Sequence, residues 1–341
     1  MAQPLLMIIM DITAQVKTNI LRKHLVRKGD TLLVGVSGGS DSIALLHVLS
    51  RLQHILAFRL LAVHFNHQLR DDAAGDEQFV KEVCRYLNVS FQSIRLTIKR
   101  TQDQSSLEEN ARQARLRHLE RLTQKYRADK VVLAHHRDDC AETVLMHILR
   151  GAGLQGLKGI PPQTKLHAIT IIRPFYNIPK DDILRYLRAN KIRYRKDSTN
   201  EDSYYFRNAI RKKLLPHIEK NYQPQIRELL FQLASLTAED YEFLASHGQK
   251  TFKKISFPGP GTGTVKLQLK KLAQLHPSLQ RVIYRLAYEK LQGDLTRLTL
   301  QHVREIEDLI TNRKEGASVH WPNGIKVCKK TPELIFQRRI S

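Results

Sequence analysis

Short apolar runs alternate with longer segments of helical periodicity through the first two-thirds of the chain. The runs have the length of β-strands and lie at 31–36, 60–65, 91–98, 131–134 and 168–172. Continuous apolar strands separated by helices are typical of a parallel sheet that is covered by helices on both faces. The pattern therefore predicts an α/β fold for this part of the chain.

A change of pattern near Pro216 indicates a second domain. Beyond this residue the apolar positions recur mainly at helical spacing, and strand-length runs stop. Near the end, Trp321-Pro322-Asn323-Gly324 predicts the turn of a hairpin. At 341 residues the chain is also long for a single core. We therefore expect an α/β domain over 1–216 and a mainly helical domain over 217–341 that ends in a β-hairpin.

The chain is strongly basic. Its 56 Lys and Arg residues against 33 Asp and Glu residues give a formal net charge of +23. The basic residues are spread along the sequence, which fits a nucleic-acid partner because each phosphate contact releases counterions. A merely soluble basic protein is the alternative.

The cysteines and the apolar content bear on the cellular location. Cys84, Cys140 and Cys328 lie far apart and form no Cys-x-x-Cys pair, which fits a reducing, cytoplasmic compartment. The apolar stretch at 4–10 is too short to span a bilayer, and no basic residue precedes it. We therefore expect no signal peptide and no membrane span.

The segment with the most specific chemistry joins the first predicted strand to the helix that follows it. It reads Ser37-Gly38-Gly39-Ser40-Asp41-Ser42. The glycines let a ligand approach the backbone closely, and hydroxyls with free N–H groups at a helix N-terminus favour an anion. We interpret the loop as a phosphate site, because an ordinary strand-to-helix turn needs fewer polar groups.

Asp41 distinguishes this loop from other phosphate loops. A Walker A loop has a Lys followed by Ser or Thr, and this loop has neither that Lys nor that length. A carboxylate would repel a bare phosphate, so a divalent cation that bridges Asp41 and phosphate oxygens resolves the conflict. We therefore predict that ATP binds here with Mg²⁺ and that Asp41 is the metal ligand.

Two other motifs overlap this part of the chain. The segment 35–39 matches the G-x-S-x-G nucleophile elbow of α/β-hydrolases, with Ser37 as the nucleophile. Few residues precede its strand, which leaves little room for the earlier strands of such folds. The segment 151–156 matches the dinucleotide motif G-x-G-x-x-G, but it follows a predicted helix instead of a strand. The hydrolase therefore remains the weaker enzyme alternative.

Asp139 and Glu142 are candidates for binding a cation. They lie three residues apart on a helix predicted directly after the run at 131–134, so both carboxylates share one face near the ligand edge of the sheet. The alternative is a pair that is stabilised there by the helix dipole. The neighbouring His135 and His136 could suggest zinc, but they lack tetrahedral spacing and no paired Cys supports them.

Other polar residues are candidates for nucleotide and RNA contacts. His64 and Asn66 end the second predicted strand, where open α/β sheets bind ligands, so we expect adenine or ribose contacts or else a packed strand-end His. Four arginines recur at helical spacing and would form basic strips for phosphates, or else a solvated helix face. They are Arg112 with Arg115 and Arg207 with Arg211.

The segment 37–42 resembles the SGGxDS signature of the PP-loop ATP pyrophosphatases, which cleave ATP between the α and β phosphates. Further segments together resemble the tRNA(Ile)-lysidine synthases. The resemblance runs from about residue 30 to Pro216, and Cys140 stands where that family usually has Gln. The segments that carry it are 64–70, 109–115, 134–153, 197–200 and 207–211.

The resemblance implies an ATP-dependent ligation of free L-lysine to C2 of the wobble cytidine in a tRNA(Ile) with a CAU anticodon. The cytidine O2 would attack the α-phosphate and expel pyrophosphate, and the lysine amine would then displace AMP. It implies that the loop at 37–42 holds the β and γ phosphates. It also implies that Asp139 and Glu142 hold the lysine, so that these two and Asp41 are the catalytic carboxylates.

Two rival functions need other features. A PP-loop enzyme of tRNA thiolation commonly uses paired cysteines, which this chain does not provide. An idle RNA-binding protein would explain the positive charge but not an intact phosphate loop. The sequence leaves open whether the protein is a homodimer.

Overall fold

The computed structural model divides into two compact units, Met1–Ala238 and Glu239–Ser341. The boundary that we predict after Pro216 lies earlier in the chain than this division, which falls inside a long helix, Ile226–Ile255. None of the described helices combines the length and apolar character needed to cross a bilayer. The structure describes residues 11–66, 73–95, 116–166, 168–195, 206–259, 263–293, 295 and 297–338.

The first unit contains a six-stranded sheet in the order β3-β2-β1-β4-β6-β5. Five strands are parallel, and β5 pairs antiparallel with β6 at the edge. The parallel strands match the five predicted apolar runs, so the α/β prediction is confirmed. The strands are β1 Thr31–Gly35, β2 Arg59–Asn66, β3 Ser90–Arg95, β4 Lys130–Val132, β5 Gln163–Leu166 and β6 Ile169–Ile172.

Helices cover both faces of this sheet because successive strand residues point to opposite sides. Leu32 and Val34 pack against α1, α2, α3 and α7, whereas Leu33 between them packs against α4. These helices are α1 Ile12–Arg22, α2 Ser40–Leu52, α3 Ala73–Tyr86, α4 at 116–126 and α7 Lys180–Ala189.

The strand order places two loops side by side. Strand β1 lies between β2 and β4. The chain that leaves β1 continues to β2 on one side, and the chain that leaves β4 continues to β5 and β6 on the other, so the two connections diverge at the carboxyl ends of β1 and β4. Open α/β sheets bind ligands at such a switch point. The loop after β1 is 36–39, and the loop after β4 leads into helix α5, Arg137–Leu149.

A smaller apolar cluster joins α5 to the helices that follow the sheet. Buried Val144 packs with Ile210, Leu215 and Leu230. Through this cluster the later helices are held beside the start of α5. They are α6 Leu154–Leu157, α8 Phe206–Ala209, a π-helical turn Ile210–Leu214, α9 Leu215–Asn221 and the first part of α10 Ile226–Ile255.

The second unit contains an antiparallel five-stranded sheet in the order β7-β8-β11-β10-β9. The predicted turn at 322–324 connects β9 to β10, and Trp321 pairs with Ile325 across it. One sheet face packs on α12 and α13 through residues such as Phe336. The elements are β7 Ser256–Pro258, β8 Thr264–Gln268, α11 Leu269–Ala273, α12 Pro277–Gln292, α13 Leu300–Thr311, β9 Ser318–Trp321, β10 Ile325–Lys330 and β11 Glu333–Arg338.

Candidate active site

The loop between β1 and α2 is shaped by hydrogen bonds among its own hydroxyls. Ser42 Oγ accepts from the Ser37 N–H at 3.1 Å and donates to the Gly39 carbonyl at 3.0 Å. The hydroxyls of Ser37 and Ser42 are also 3.1 Å apart. Helix α2 begins at Ser40, so the loop ends where backbone N–H groups point away from the helix. This arrangement fits an anion in front of the loop.

Gly38 adopts a conformation that favours glycine. Its φ is +92°, and its carbonyl accepts a hydrogen bond from the Arg195 N–H at 2.9 Å. A side chain here would be strained by this φ and would meet Val80 at 3.4 Å. The glycine therefore allows the loop to pass close to the segment that ends at Arg195.

Asp41 contacts two cationic groups that come from distant parts of the chain. Its carboxylate forms an ion pair with Lys180 Nζ and lies 3.7 Å from His136 Nε2. Lys180 Nζ also donates to Ser40 Oγ at 2.7 Å. The lysine is held in place through its backbone N–H, which donates to Asp138 Oδ2 at 2.9 Å. A cation therefore lies beside the loop although the loop itself contains none.

The surroundings shift the pKa values of these groups. Burial alone would raise the pKa of Asp41, but the hydrogen bond with His136 and the charges of His136 and Lys180 hold it below its ordinary value. Burial alone would lower the pKa of His136, but Asp41, Asp139 and Asp138 raise it above its ordinary value. Asp41 is therefore ionised at neutral pH, and protonation of His136 is favoured.

Asp41 suits a magnesium ion. Mg²⁺ in proteins binds one or two carboxylates, substrate phosphate oxygens and several waters. The Asp41 side chain is 31% exposed and lies in the wall of a cavity, where one of its oxygens faces Lys180 and the other faces His136. One carboxylate with adjacent hydroxyls fits the predicted metal, which would share this carboxylate with the two neighbouring side chains.

Asp139 and Glu142 are brought together on one face of α5, as predicted, but they face two arginines. The Glu142 side chain is 1% exposed and accepts from Arg207 Nε at 3.0 Å and from Arg211 Nε at 2.5 Å. Asp139 Oδ1 lies 3.1 Å from Arg207 Nη2 and 2.9 Å from Arg211 Nη2. The four side chains form a compact cluster of two negative and two positive charges.

The pKa of Asp139 is held low by the positive groups around it. Burial alone would raise the pKa, but the charges of His136 and Arg207 lower it to about 2. Asp139 therefore keeps its negative charge at neutral pH. At the neighbouring His135 burial has the larger effect. It lowers the pKa of the imidazole to about 4, so His135 is neutral at neutral pH.

Arg207 and Arg211 differ from the expected phosphate strip. Both guanidinium groups point at the carboxylates, and about a third of each side chain is exposed. Arg207 lies on α8 and Arg211 lies on the π-helical turn. Such π-helical turns are frequent at functional sites. Their role in phosphate binding stays a prediction. Arg112 and Arg115 lie outside the described residues, as do 67–70 and 197–200.

His64 and Asn66 end β2 as expected, but both are buried and engaged with protein groups. His64 Nδ1 lies 2.9 Å from the Val36 carbonyl, and Asn66 Nδ2 donates to Glu77 Oε2 at 3.0 Å. The His64 contact supports the start of the phosphate loop. Their role in nucleotide binding stays a prediction.

A cavity of about 1130 Å³ is lined by the phosphate loop, Lys180 and Glu142. It extends from the phosphate loop past Lys180 and α5 to the start of α10, so both candidate sites open into one space. Sequence reasoning missed Lys180, Arg195 and Arg227, since no local motif surrounds them. The lining includes Ser37, Gly39, Ser40, Asp41, Ser42, His136, Glu142, Lys180, Arg195, Arg211, Lys212 and Arg227.

Comparisons with known proteins agree with this geometry. Residues 10–218 match the family model of the PP-loop domain, and residues 267–330 match the TilS substrate binding domain. The tRNA(Ile)-lysidine synthase of Clostridioides difficile is 31% identical over 94% of this chain. The chain belongs to the tRNA(Ile)-lysidine synthase family. The match to the PP-loop domain also confirms the predicted fold class of the first unit.

Other members of the tRNA(Ile)-lysidine synthase family are similarly related. The enzyme of Clostridium perfringens is 32% identical over 90% of this chain, and the bifunctional protein TilS/HprT of Listeria monocytogenes is 33% identical over 96%. The chain spans 70% of the C. difficile relative, 64% of the C. perfringens relative and 51% of the L. monocytogenes relative.

A solved structure shows the same fold at low sequence identity. The U34-tRNA thiolase NcsA from Methanococcus maripaludis superposes with a TM-score of 0.55 over 67% of this chain and 78% of its own. At 18% identity the likeness concerns the fold alone.

Proposed function

We propose that this protein uses ATP to ligate L-lysine to C2 of the wobble cytidine in a tRNA(Ile) with a CAU anticodon. The observation that carries the proposal is the shared cavity, which is lined by the PP loop at one side and by Glu142 of the carboxylate pair at the other. Membership of the lysidine synthase family and the net charge of +23 support it. AMP and pyrophosphate are the other products.

The first step is adenylation of the cytidine. Its O2 attacks the α-phosphate of ATP, and the bond to the β-phosphate oxygen breaks as pyrophosphate leaves. The N–H groups at the start of α2 and the ammonium of Lys180 stabilise the charge of the leaving group. Magnesium held by Asp41 would neutralise part of the same charge. Adenylation turns a poor leaving oxygen into a good one.

The second step is attack of the lysine amine on C2 with loss of AMP. Asp139 and Glu142 are the proposed acceptors for the substrate's positive charge, and in the structure Arg207 and Arg211 occupy them. A lysine cation would meet an already neutralised pair. Binding of lysine therefore requires at least one guanidinium to move, for example towards an RNA phosphate.

Incorporation of labelled lysine tests this proposal. The protein is incubated with ATP, Mg²⁺, labelled lysine and an unmodified tRNA(Ile) transcript with a CAU anticodon. We expect label in the tRNA, and we expect Asp41→Asn to reduce incorporation at least about 100-fold because a metal and phosphate contact is lost. Asp240→Asn is the matched control, since Asp240 is exposed on α10.

The same assay separates the rivals. Label in the tRNA with wild-type protein is the expected result, and its absence together with sulfur transfer from a thiol donor would instead support thiolation. The hydrolase reading requires an activated Ser37, whereas the Ser37 hydroxyl contacts Ser42 and accepts from the Gly39 N–H at 3.3 Å. Inactivation by a serine-directed acylating reagent without ATP would support the hydrolase.

A further inference from the structure

Phe206 exposes an aromatic ring close to the proposed active site. It is the first residue of α8, and 45% of its surface is exposed. Single exposed apolar residues are common, so exposure alone indicates little. The guanidinium of Arg150, however, lies over the Phe206 ring at 5.2 Å from its centroid. An exposed ring with a cation on it is a surface that can also stack with a flat, electron-rich group.

The position of this pair relates it to the carboxylate cluster. Phe206 directly precedes Arg207, whose guanidinium contacts Asp139 and Glu142. Arg150 caps the C-terminal end of α5, the helix that carries both carboxylates. Glu142 and Arg150 are two turns apart along α5, which corresponds to about 12 Å. The pair therefore lies near the site at which the target base would react, but not in it.

Residues close to Arg150 in the sequence also expose apolar side chains. Leu149 at the end of α5 is 53% exposed, and Leu154 at the start of α6 is 49% exposed. Arg150 is itself exposed. Apolar side chains with a cation complement an unpaired nucleotide, which presents a flat base and a negative phosphate. A folded acidic protein would be recognised by charge, without needing an exposed ring.

We propose that Phe206 and Arg150 form a stacking platform for an unpaired anticodon-loop base adjacent to the target cytidine. This inference rests on the proposed function, because it places a second nucleotide of the same RNA. An enzyme that acts on a base must take it out of the stack, and a neighbouring base then loses its stacking partner. The platform replaces that partner and holds the loop while the cytidine reaches the cavity. It is a positioning contact.

Steady-state kinetics with tRNA and ATP varied separately test the platform. Phe206→Leu keeps an apolar side chain but removes the aromatic face. We expect the KM for tRNA to rise about tenfold, which corresponds to about 1.4 kcal/mol and to the usual contribution of one stacked base. The KM for ATP should stay unchanged. Phe206→Trp retains the aromatic face and should keep the KM for tRNA near that of the wild type.

Tyr86→Leu is the matched control for removal of an exposed aromatic ring. Tyr86 is 86% exposed on α3, which takes no part in the proposed platform. Circular dichroism checks that each variant is folded. An unchanged KM for tRNA in folded Phe206→Leu, or an equal rise in Tyr86→Leu, would overturn the platform.

Fluorescence gives a direct readout of stacking. The chain has a single tryptophan, Trp321, which is 4% exposed, so Phe206→Trp adds one surface fluorophore. We expect the tRNA transcript to quench the new emission. Two further transcripts each carry an abasic site at one of the two neighbours of the target cytidine, and we expect one of them to lose the quenching. Equal quenching by both abasic transcripts and the intact one would contradict the proposal.

The wild-type assay separates the two hypotheses. If wild-type protein incorporates lysine while Phe206→Leu keeps a normal KM for tRNA, only the platform is wrong. If wild-type protein incorporates no lysine but Phe206→Trp is quenched by the transcript, the RNA platform stands and the proposed reaction fails.

Discussion

Lys180 gives the phosphate loop the positive charge that its own sequence lacks. A Walker A loop includes its lysine in the loop, whereas here the ammonium comes from the start of α7, 139 residues after Asp41. The ammonium contacts both Asp41 and Ser40. It therefore lies where negative charge would develop on the departing pyrophosphate. We infer that it stabilises this charge in the adenylation step.

Lys180→Met should slow adenylation about 100-fold, since loss of one group that stabilises developing charge typically costs that much. Single-turnover release of pyrophosphate from wild-type and variant protein, in the presence of ATP and the tRNA, measures the effect. Lys180→Arg retains the charge and should recover part of the rate. Lys81→Met on the exposed side of α3 is the control. A normal adenylation rate in Lys180→Met would show that this ammonium is only structural.

The four-charge cluster joins three short elements into one site. Helix α5 contributes Asp139 and Glu142, α8 contributes Arg207, and the π-helical turn contributes Arg211. Burial of Glu142 is tolerated because both of its oxygens accept hydrogen bonds from guanidinium groups. The cluster therefore aligns the start of α5 with the segment that follows residue 205.

Glu142→Gln should destabilise the protein by about 3 kcal/mol, because it leaves two guanidinium groups facing one carboxylate. Urea unfolding followed by circular dichroism measures the change. Asp308→Asn removes one partner of an exposed ion pair with Arg313 and should leave the unfolding midpoint almost unchanged. An unchanged midpoint for Glu142→Gln would mean that the cluster does not hold these elements together.

The net charge of +23 bears on how the protein meets its RNA. Phosphate contacts make binding weaken steeply with salt, because released counterions must return. If six or more phosphates are contacted, affinity for tRNA should fall about 1000-fold between 50 and 200 mM salt. Fluorescence anisotropy with labelled tRNA at several salt concentrations gives the slope. A non-cognate tRNA should show a similar slope, and a slope near zero would argue against a phosphate-dominated interface.

The amino-acid sequence was sufficient for features that depend on neighbouring residues. Each of the five parallel strands overlaps a predicted apolar run, and the loop at 37–42 carries its glycines, hydroxyls and carboxylate in one segment. The edge strand β5 escaped prediction because it alternates exposed and half-buried residues, among them Gln163 and Lys165. In the second unit, only the hairpin turn was predicted for a sheet of five short strands.

Only the tertiary structure decided which charged groups meet. Nothing local to Lys180 indicates that it contacts Asp41, and the spacing of Arg207 and Arg211 fits an exposed basic strip as well as a buried cluster. These contacts join residues 65 to 139 positions apart, brought together by the strand order and by packing of α5 against later helices. Local periodicity determines which face of an element is apolar, but the pairing of charges depends on which elements become neighbours.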